Sequence, residues 1–300
     1  MNNRIRIKVA GHYIDIDYKY TPKQSIETFA SFAEFISEDY TEEALFTLEI
    51  DRESPFDNYE KRLIGSFPID NSKVLNEVYS LEDGRIYQVD YSLNNMKRRT
   101  VYLDKTNMKA YACIVSNERN DVWDSITAAY AYFFILHGSL MIHSSVIEYK
   151  DRGYLFLGKS GTGKSTHSEL WCRHIEGATL LNDDAPIVSC NETKNIVSGS
   201  PWSGKTPCYR NKSVEIGAIV QLHQSKTNKI VRVSPLRAMA IIMPCIVGDM
   251  KWDKEIHGNV ISIVEKLVQR TTVYEMWCTP DKEAALLSYS KIVANEWTWS

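Results

Sequence analysis

The stretch "GYLFLGKSGTGKSTHSELW", residues 153–171, decides how the rest of the chain is read. Residues 154–157 are an apolar run of buried-strand type. A glycine-rich loop, 158–163, follows, and Lys164, Ser165 and Thr166 open a helical pattern. Gly158, Gly163, Lys164 and Ser165 satisfy G-x-x-x-x-G-K-[ST]. Phosphate chemistry explains each residue type. Glycines let the backbone wrap so that successive N–H groups point inward. The helix behind them turns its positive end to the same anion. The expected cradle is therefore Gly158, Ser160, Gly161, Thr162, Gly163, Lys164, Ser165 and Thr166. Lys164 can reach the β- and γ-phosphates as a point charge. The Ser165 hydroxyl suits Mg²⁺, which takes oxygen ligands. The cofactors expected are ATP and Mg²⁺.

About twenty residues after Lys164 comes "LLNDD", placing Asp183 and Asp184 at the end of a buried-looking strand. Adjacent aspartates alone are ordinary turn residues. At this edge of an α/β sheet, where ligands bind, one carboxylate can hold Mg²⁺ and the other can accept or orient a hydroxyl proton. The sequence leaves open which does which. Metal ligands are thus expected among Ser165, Asp183 and Asp184.

Outward from the loop, the chain falls into two parts. Residues 1–115 form a β-rich α+β region, with strand patterns in "RIRIKVAGHYIDIDYKY", "ALFTLEIDRE", "RIYQVDYSL" and "RRTVYLDK" and a turn at "EDGR". One helix is expected at 25–36, with Ile26, Phe29, Phe32, Phe35 and Ile36 as its apolar stripe. Residues 116–300 read as α/β. A helix over 122–136 precedes the strand "LMIHSSVIEY", then the loop strand, its helix and the strand "ATLLND". "IVSGSPWSGKTP" reads as a loop, and "IGAIVQLHQ", "KIVRVSP" and "TVYEMW" as strands. A helix carries Ile261, Val264, Leu267 and Val268 on one face. A last helix has Thr279 as N-cap and Pro280 at its first position.

With 300 residues, 44% of them hydrophobic, the chain can bury a sizeable core. Its net charge of -3 gives no basic bias for nucleic acid or an anionic membrane. The apolar stretch 126–142 is interrupted by His137, Gly138 and Ser139, so it reads as a buried helix and strand rather than a membrane span. The six cysteines form no CxxC pair, and no signal peptide opens the sequence; a reducing, cytoplasmic setting is expected. His167 and His174 read as packed or surface residues, not as a metal pair.

His143 lies inside the strand "LMIHSSVIEY", where a lone histidine is usually a core residue. Taken together, "HSSV", "GKSGTGKST" and "NDD" resemble the HPr kinase/phosphorylase group. The loop is also similar to that of ATP-dependent phosphoenolpyruvate carboxykinases, which share that nucleotide-binding fold. "GSPWSGK" and "IGAIVQL" extend the resemblance over about 136–235. It implies an α/β P-loop core with a mixed sheet between helices. It places His143 beside the γ-phosphate, makes Ser165 and one aspartate metal-linked, and gives an aspartate the acid/base role. The chain departs from the group at Thr166, where those enzymes have Glu, and in lacking their arginine- and glycine-rich segment.

The expectation is therefore a kinase moving the γ-phosphoryl group of ATP to a hydroxyl of a small molecule or a protein serine. The catalytic residues would be His143, Lys164, Asp183 and Asp184. Two other readings stand beside it: an ATP-binding sensor or biosynthetic accessory module without turnover, and a short carboxykinase relative. Lys205 and Arg210 are candidates for a substrate anion or, equally, solvated cations. Trp202 suits a ligand contact or a loop anchor. Trp297 and Trp299 suit a core or a homo-oligomer interface.

Overall fold

The computed structural model describes residues 4–19, 30–68, 75–82, 86–93, 96–114, 119–204, 206–248 and 250–293. The protein is mixed α/β and divides into two compact units. One is Met1–Phe134 with Met250–Lys254; the other is Ile135–Asp249 with Glu255–Ser300.

The first unit begins with β1 (Arg4–Val9) and β2 (His12–Tyr18), an antiparallel hairpin. Ala10 and Gly11 turn it at φ 50° and 84°, as a two-residue hairpin loop requires. β2 runs parallel to β3 (Phe46–Asp51), and β3 parallel to β8 (Lys109–Ile114). From β8 an antiparallel meander continues through β7 (Met96–Asp104), β6 (Ile86–Leu93), β5 (Leu75–Leu81) and β4 (Lys61–Pro68). The sequence patterns mark β1, β2, β3, β6 and β7. They miss β4 and β5, whose Gly65, Pro68 and Asn76 blur the alternation, and the short alanine-containing β8. Helix α1 (Arg119–Leu136) carries Phe133, which stacks on Phe46 at 4.6 Å, and Phe134, which meets the His12 ring edge-on. That packing keeps most of α1 with the first unit. The first compact unit therefore runs to Phe134, while the sequence pattern changes near 115.

Within 25–36, the described part is a short 3₁₀ helix, Ala30–Phe35, rather than a full α-helix. Phe32 and Phe35 are buried, but Ile36 is 41% exposed and makes a single bridge to Ile7, so it leaves the expected stripe. Ile26 and Phe29, and the turn at 83–85, lie outside the described residues.

The second unit holds a mixed sheet. β10 (Ser144–Tyr149) pairs antiparallel with β12 (Thr179–Asn182) and with β11 (Arg152–Leu157). β11 runs parallel to β15 (Ser213–Gln224). The first residues of β15 pair with β14 (Asn195–Ser198), and its later ones run parallel to β17 (Thr272–Cys278). β14 pairs with β13 (Ile187–Cys190), and β13 with β9 (Ser139–Met141); β16 (Lys229–Arg232) pairs with β17.

Helices cover both faces of this sheet. On one, α2 (Lys164–His174) and α5 (Lys282–Ile292) close a core of Tyr154, Phe156, Trp171, Val220, Leu222, Met276, Ala284 and Ala285. On the other, Glu275, which alternates with Met276, holds Arg237 of α3 (Pro235–Ile242). In α4 (Lys254–Arg270) the buried stripe is Ile256, Val260, Ile263, Val264 and Leu267. Ile261 and Val268 are only half-buried, because the covered face is turned toward Ile263, one position from the expected one. The cap of α5 is Asp281, not Thr279. The Asp281 carboxylate accepts the Ala284 N–H, while the Thr279 hydroxyl donates to Asp281. Pro280 therefore precedes the cap. Among the described residues no helix is long and apolar enough to cross a membrane.

Candidate functional site

The site grows from the junction of β11 and α2. Five buried residues, Gly153 through Leu157, bring the chain to the sheet edge. Gly161 at φ 80° and Gly163 at φ 104° then take left-handed turns that other residues rarely adopt. The Thr162 N–H and hydroxyl both donate to the Lys159 carbonyl, closing the loop on itself. Gly163 caps α2 without any side-chain cap, so the first-turn N–H groups face the loop's concavity. Ser165 and Thr166 sit on that turn, Ser165 half-buried and Thr166 exposed; Ser160 is exposed at the loop tip.

Lys164 is buried and folds back into the site. Its Nζ donates to the Gly158 carbonyl at 2.9 Å and lies 3.0 Å from His143 Nε2. Burial pushes the Lys164 ammonium below the usual lysine range, opposed by the carboxylates of Asp184 and Asp183. Beyond it, His143 Nδ1 is 2.8 Å from Asp184 Oδ1. This order fixes the tautomer. An ammonium can only donate, so Nε2 must accept, and the ring proton sits on Nδ1 and is given to Asp184. Gly158, Lys164, His143 and Asp184 thus form one hydrogen-bonded chain.

His143 is not inside a strand, as the sequence implies. β9 ends at Met141, Ile142 makes one bridge to Ile246, and β10 starts at Ser144. The His143 N–H donates to the Cys245 carbonyl at 2.6 Å, and the Ser144 N–H to the Asp184 carbonyl at 2.9 Å. Here the chain leaves β13 and joins β11 and β12. "LMIHSSVIEY" contains no glycine or proline to mark the break.

Asn182 holds the acidic turn. Its Oδ1 accepts the N–H groups of Asp184 and Ala185, both at 3.0 Å. Its Nδ2 reaches the carbonyls of Ser200 and Trp202 and the Ser200 hydroxyl. Asp183 is buried; its Oδ2 accepts the Thr206 N–H at 3.3 Å, while its Oδ1 has no hydrogen-bond partner among the described residues. A buried carboxylate oxygen left open beside a lysine suits a divalent cation or its water. The pair, read alike from sequence, therefore differs in surroundings: Asp184 faces His143 and Asp183 is turned inward. Among the described residues no three His, Cys, Asp or Glu side chains form a metal cluster. The residues that could hold a cation are Ser165, with its hydroxyl on the first turn of α2, Asp183, with its open oxygen, and Asp184, whose Oδ1 faces His143.

Arg210 stands apart. It pairs with Glu148 at 2.8 Å and donates to the Leu180 carbonyl, and Lys212 holds the same carboxylate. Glu148 pairs with Gly153, whereas the site end of β10 pairs Ser144 with Leu157. Four residues of strand, about 13 Å, separate them. Arg210 is consumed by this clamp because the chain returns along β12 before entering β15. Lys205 lies outside the described residues, as do Trp297 and Trp299. Trp202 is buried, and its carbonyl is tied to Asn182, so it anchors the loop. His167 is buried on the other side of α2 against Ser288, and the six cysteines are free thiols.

Sequence reasoning missed Asn182 and Cys245. Asn182 left a signal: an amide at the end of an apolar strand needs buried partners. A backbone carbonyl contribution such as that of Cys245 has no residue signature.

No family model matches the chain, and no curated protein does. Among solved structures it is similar to the Hpr(Ser) kinase/phosphatase from Coxiella burnetii, at 14% identity and a TM-score of 0.32, over 52% of this chain and 89% of that one.

Proposed function

We propose that this protein is an ATP- and Mg²⁺-dependent kinase of HPr-kinase-like fold that phosphorylates a hydroxyl group of a small molecule or a protein serine. The observation that carries the reading is the chain from the Gly158 carbonyl through Lys164 and His143 to Asp184, beside the open oxygen of Asp183. When bound, Mg²⁺ would be held by the Ser165 hydroxyl and Asp183 and would neutralise phosphate charge. The loop N–H groups bind the phosphates. Lys164 leaves His143 for the γ-phosphate, bringing its positive charge to the transferring group. Asp184, oriented by His143, takes the proton of the acceptor hydroxyl. The hydroxyl oxygen forms a bond to the γ-phosphorus, and the bond from that phosphorus to the bridging oxygen breaks. ADP leaves with the electron pair, and the proton passes from Asp184 to solvent.

The test is release of ADP, and labelling of hydroxyl-bearing acceptors, by the purified chain with γ-labelled ATP and Mg²⁺. Lys164→Ala and Asp184→Asn should each lose at least about 100-fold. Equal turnover by wild type and Lys164→Ala would sink the reading. Tight ATP binding with no turnover in any condition would put the protein among non-catalytic nucleotide binders instead.

A further inference from the structure

The nucleotide in this reading has a direction. His143, Asp183 and Asp184 gather at β10 and β12, on one side of β11, so the γ-phosphate end points there. A nucleotide lying through the loop must then send its base across the other side of β11, over β15 and β17. At those strand ends His223 and Trp277 face each other in register, with ring centroids 5.1 Å apart and planes within 17° of parallel.

Their placement suits a base. Gln221 pairs with Leu157, the last residue of β11. His223 is two residues further on, about 7 Å past that level, beyond the end of β11 where the loop begins. Trp277 stands two strands from β11, about 10 Å to the side. A ribose and base attached to a phosphate held at the loop can cover that gap. The intervening strand is tied to the loop on the α2 face, where Gln224 Nε2 donates to the Gly161 carbonyl at 3.0 Å; His223 and Trp277, on the α3 face, meet a nucleotide only past the strand ends.

The ring pair is braced from one side. Glu275 accepts from His223 Nε2 at 3.2 Å and from Arg237 Nη2 at 2.6 Å and Nε at 3.3 Å. The His223 side chain nevertheless remains 35% exposed, and Trp277 is partly exposed, whereas the core residue Trp171 is wholly buried. A fixed pair of aromatic rings, open to solvent at a ligand-binding edge, is a stacking surface for a flat heterocycle.

We propose that Trp277, backed by His223, is the platform on which the purine base of the nucleotide stacks. This rests on the nucleotide-binding reading above and adds the base subsite to it. Calorimetric titration with MgADP and with magnesium tripolyphosphate, which has no base, separates the two. Trp277→Ala should bind ADP at least 10-fold more weakly and tripolyphosphate as wild type does, and Trp277→Phe should recover most of the loss. Wild-type ADP affinity in Trp277→Ala, or an equal loss for both ligands, would overturn the subsite while leaving phosphate binding intact in the wild type. Wild-type protein binding neither ligand would overturn both readings. Photolabelling of the unmodified chain by 8-azido-ADP gives a check that needs no variant. Label within 223–228 or 277–281 is expected, and label confined elsewhere overturns the platform.

Discussion

At Asn182 a single amide joins two pieces of the site. It is completely buried, and both ends of its side chain are engaged, holding Asp184 and Ala185 on one side and Ser200 and Trp202 on the other. Asn182→Ala would strand those N–H and carbonyl groups away from water, at a cost of about 2–4 kcal/mol in unfolding free energy. Asn182→Asp keeps the acceptor but turns the donor into a carboxylate oxygen facing two carbonyls, and should cost at least as much. Urea denaturation measures both; midpoints like that of wild type would refute the role. Residues differ in how far the sequence exposes them. The strand, glycine-rich turn and helix start that carry Lys164 and Ser165 were legible because each has a local sequence pattern. Asp183 and Asp184 were legible as a pair, but their division of surroundings depends on Asn182 and Thr206, which only the folded loop brings near. The pairing of Arg210 with Glu148 was not legible, since a cation's partner across a sheet has no local pattern.

Among the elements, one hydroxyl of α5 holds two rings of α2. Ser288 Oγ accepts from Trp171 Nε1 at 2.8 Å and lies 3.0 Å from His167 Nε2. Burial lowers the His167 pKa to about 4. An unfolded histidine titrates near 6.5, so between those values the unfolded chain binds a proton that the folded chain refuses. Stability is therefore full above about pH 6.5 and falls as pH drops toward 4, by an amount on the order of 3 kcal/mol. His167→Gln should flatten that part of the stability curve measured by denaturation from pH 7 to 4; an unchanged slope would contradict it. Most elements of the second unit were legible because strand and helix periods differ clearly there. The break at His143 was not, because an apolar run reads alike whether it serves one neighbouring strand or passes between two. The α5 cap slipped for a related reason: Thr279 and Asp281 are both good caps, and only backbone geometry chooses.

At the scale of the whole molecule, the sequence changes near 115 from β-rich to alternating α/β patterns, while the first compact unit runs on to Phe134, because Phe133 and Phe134 of α1 pack against Phe46 and His12. Peptide-resolved hydrogen exchange with saturating MgADP should show added protection in 158–166, 183–186 and 221–225 and none in β1–β8. Equal protection gained in β1–β8 would refute a site confined to the second unit. One further consequence follows from the His143 N–H resting on the Cys245 carbonyl. The imidazole inherits its position from a segment a hundred residues downstream, through an atom that every amino acid possesses. Among descendants of this sequence, position 245 is thus expected to tolerate exchange of its side chain while the local backbone path resists insertion, deletion or a proline at 143. A survey of substitutions alone would overlook this support; a survey of length changes would find it.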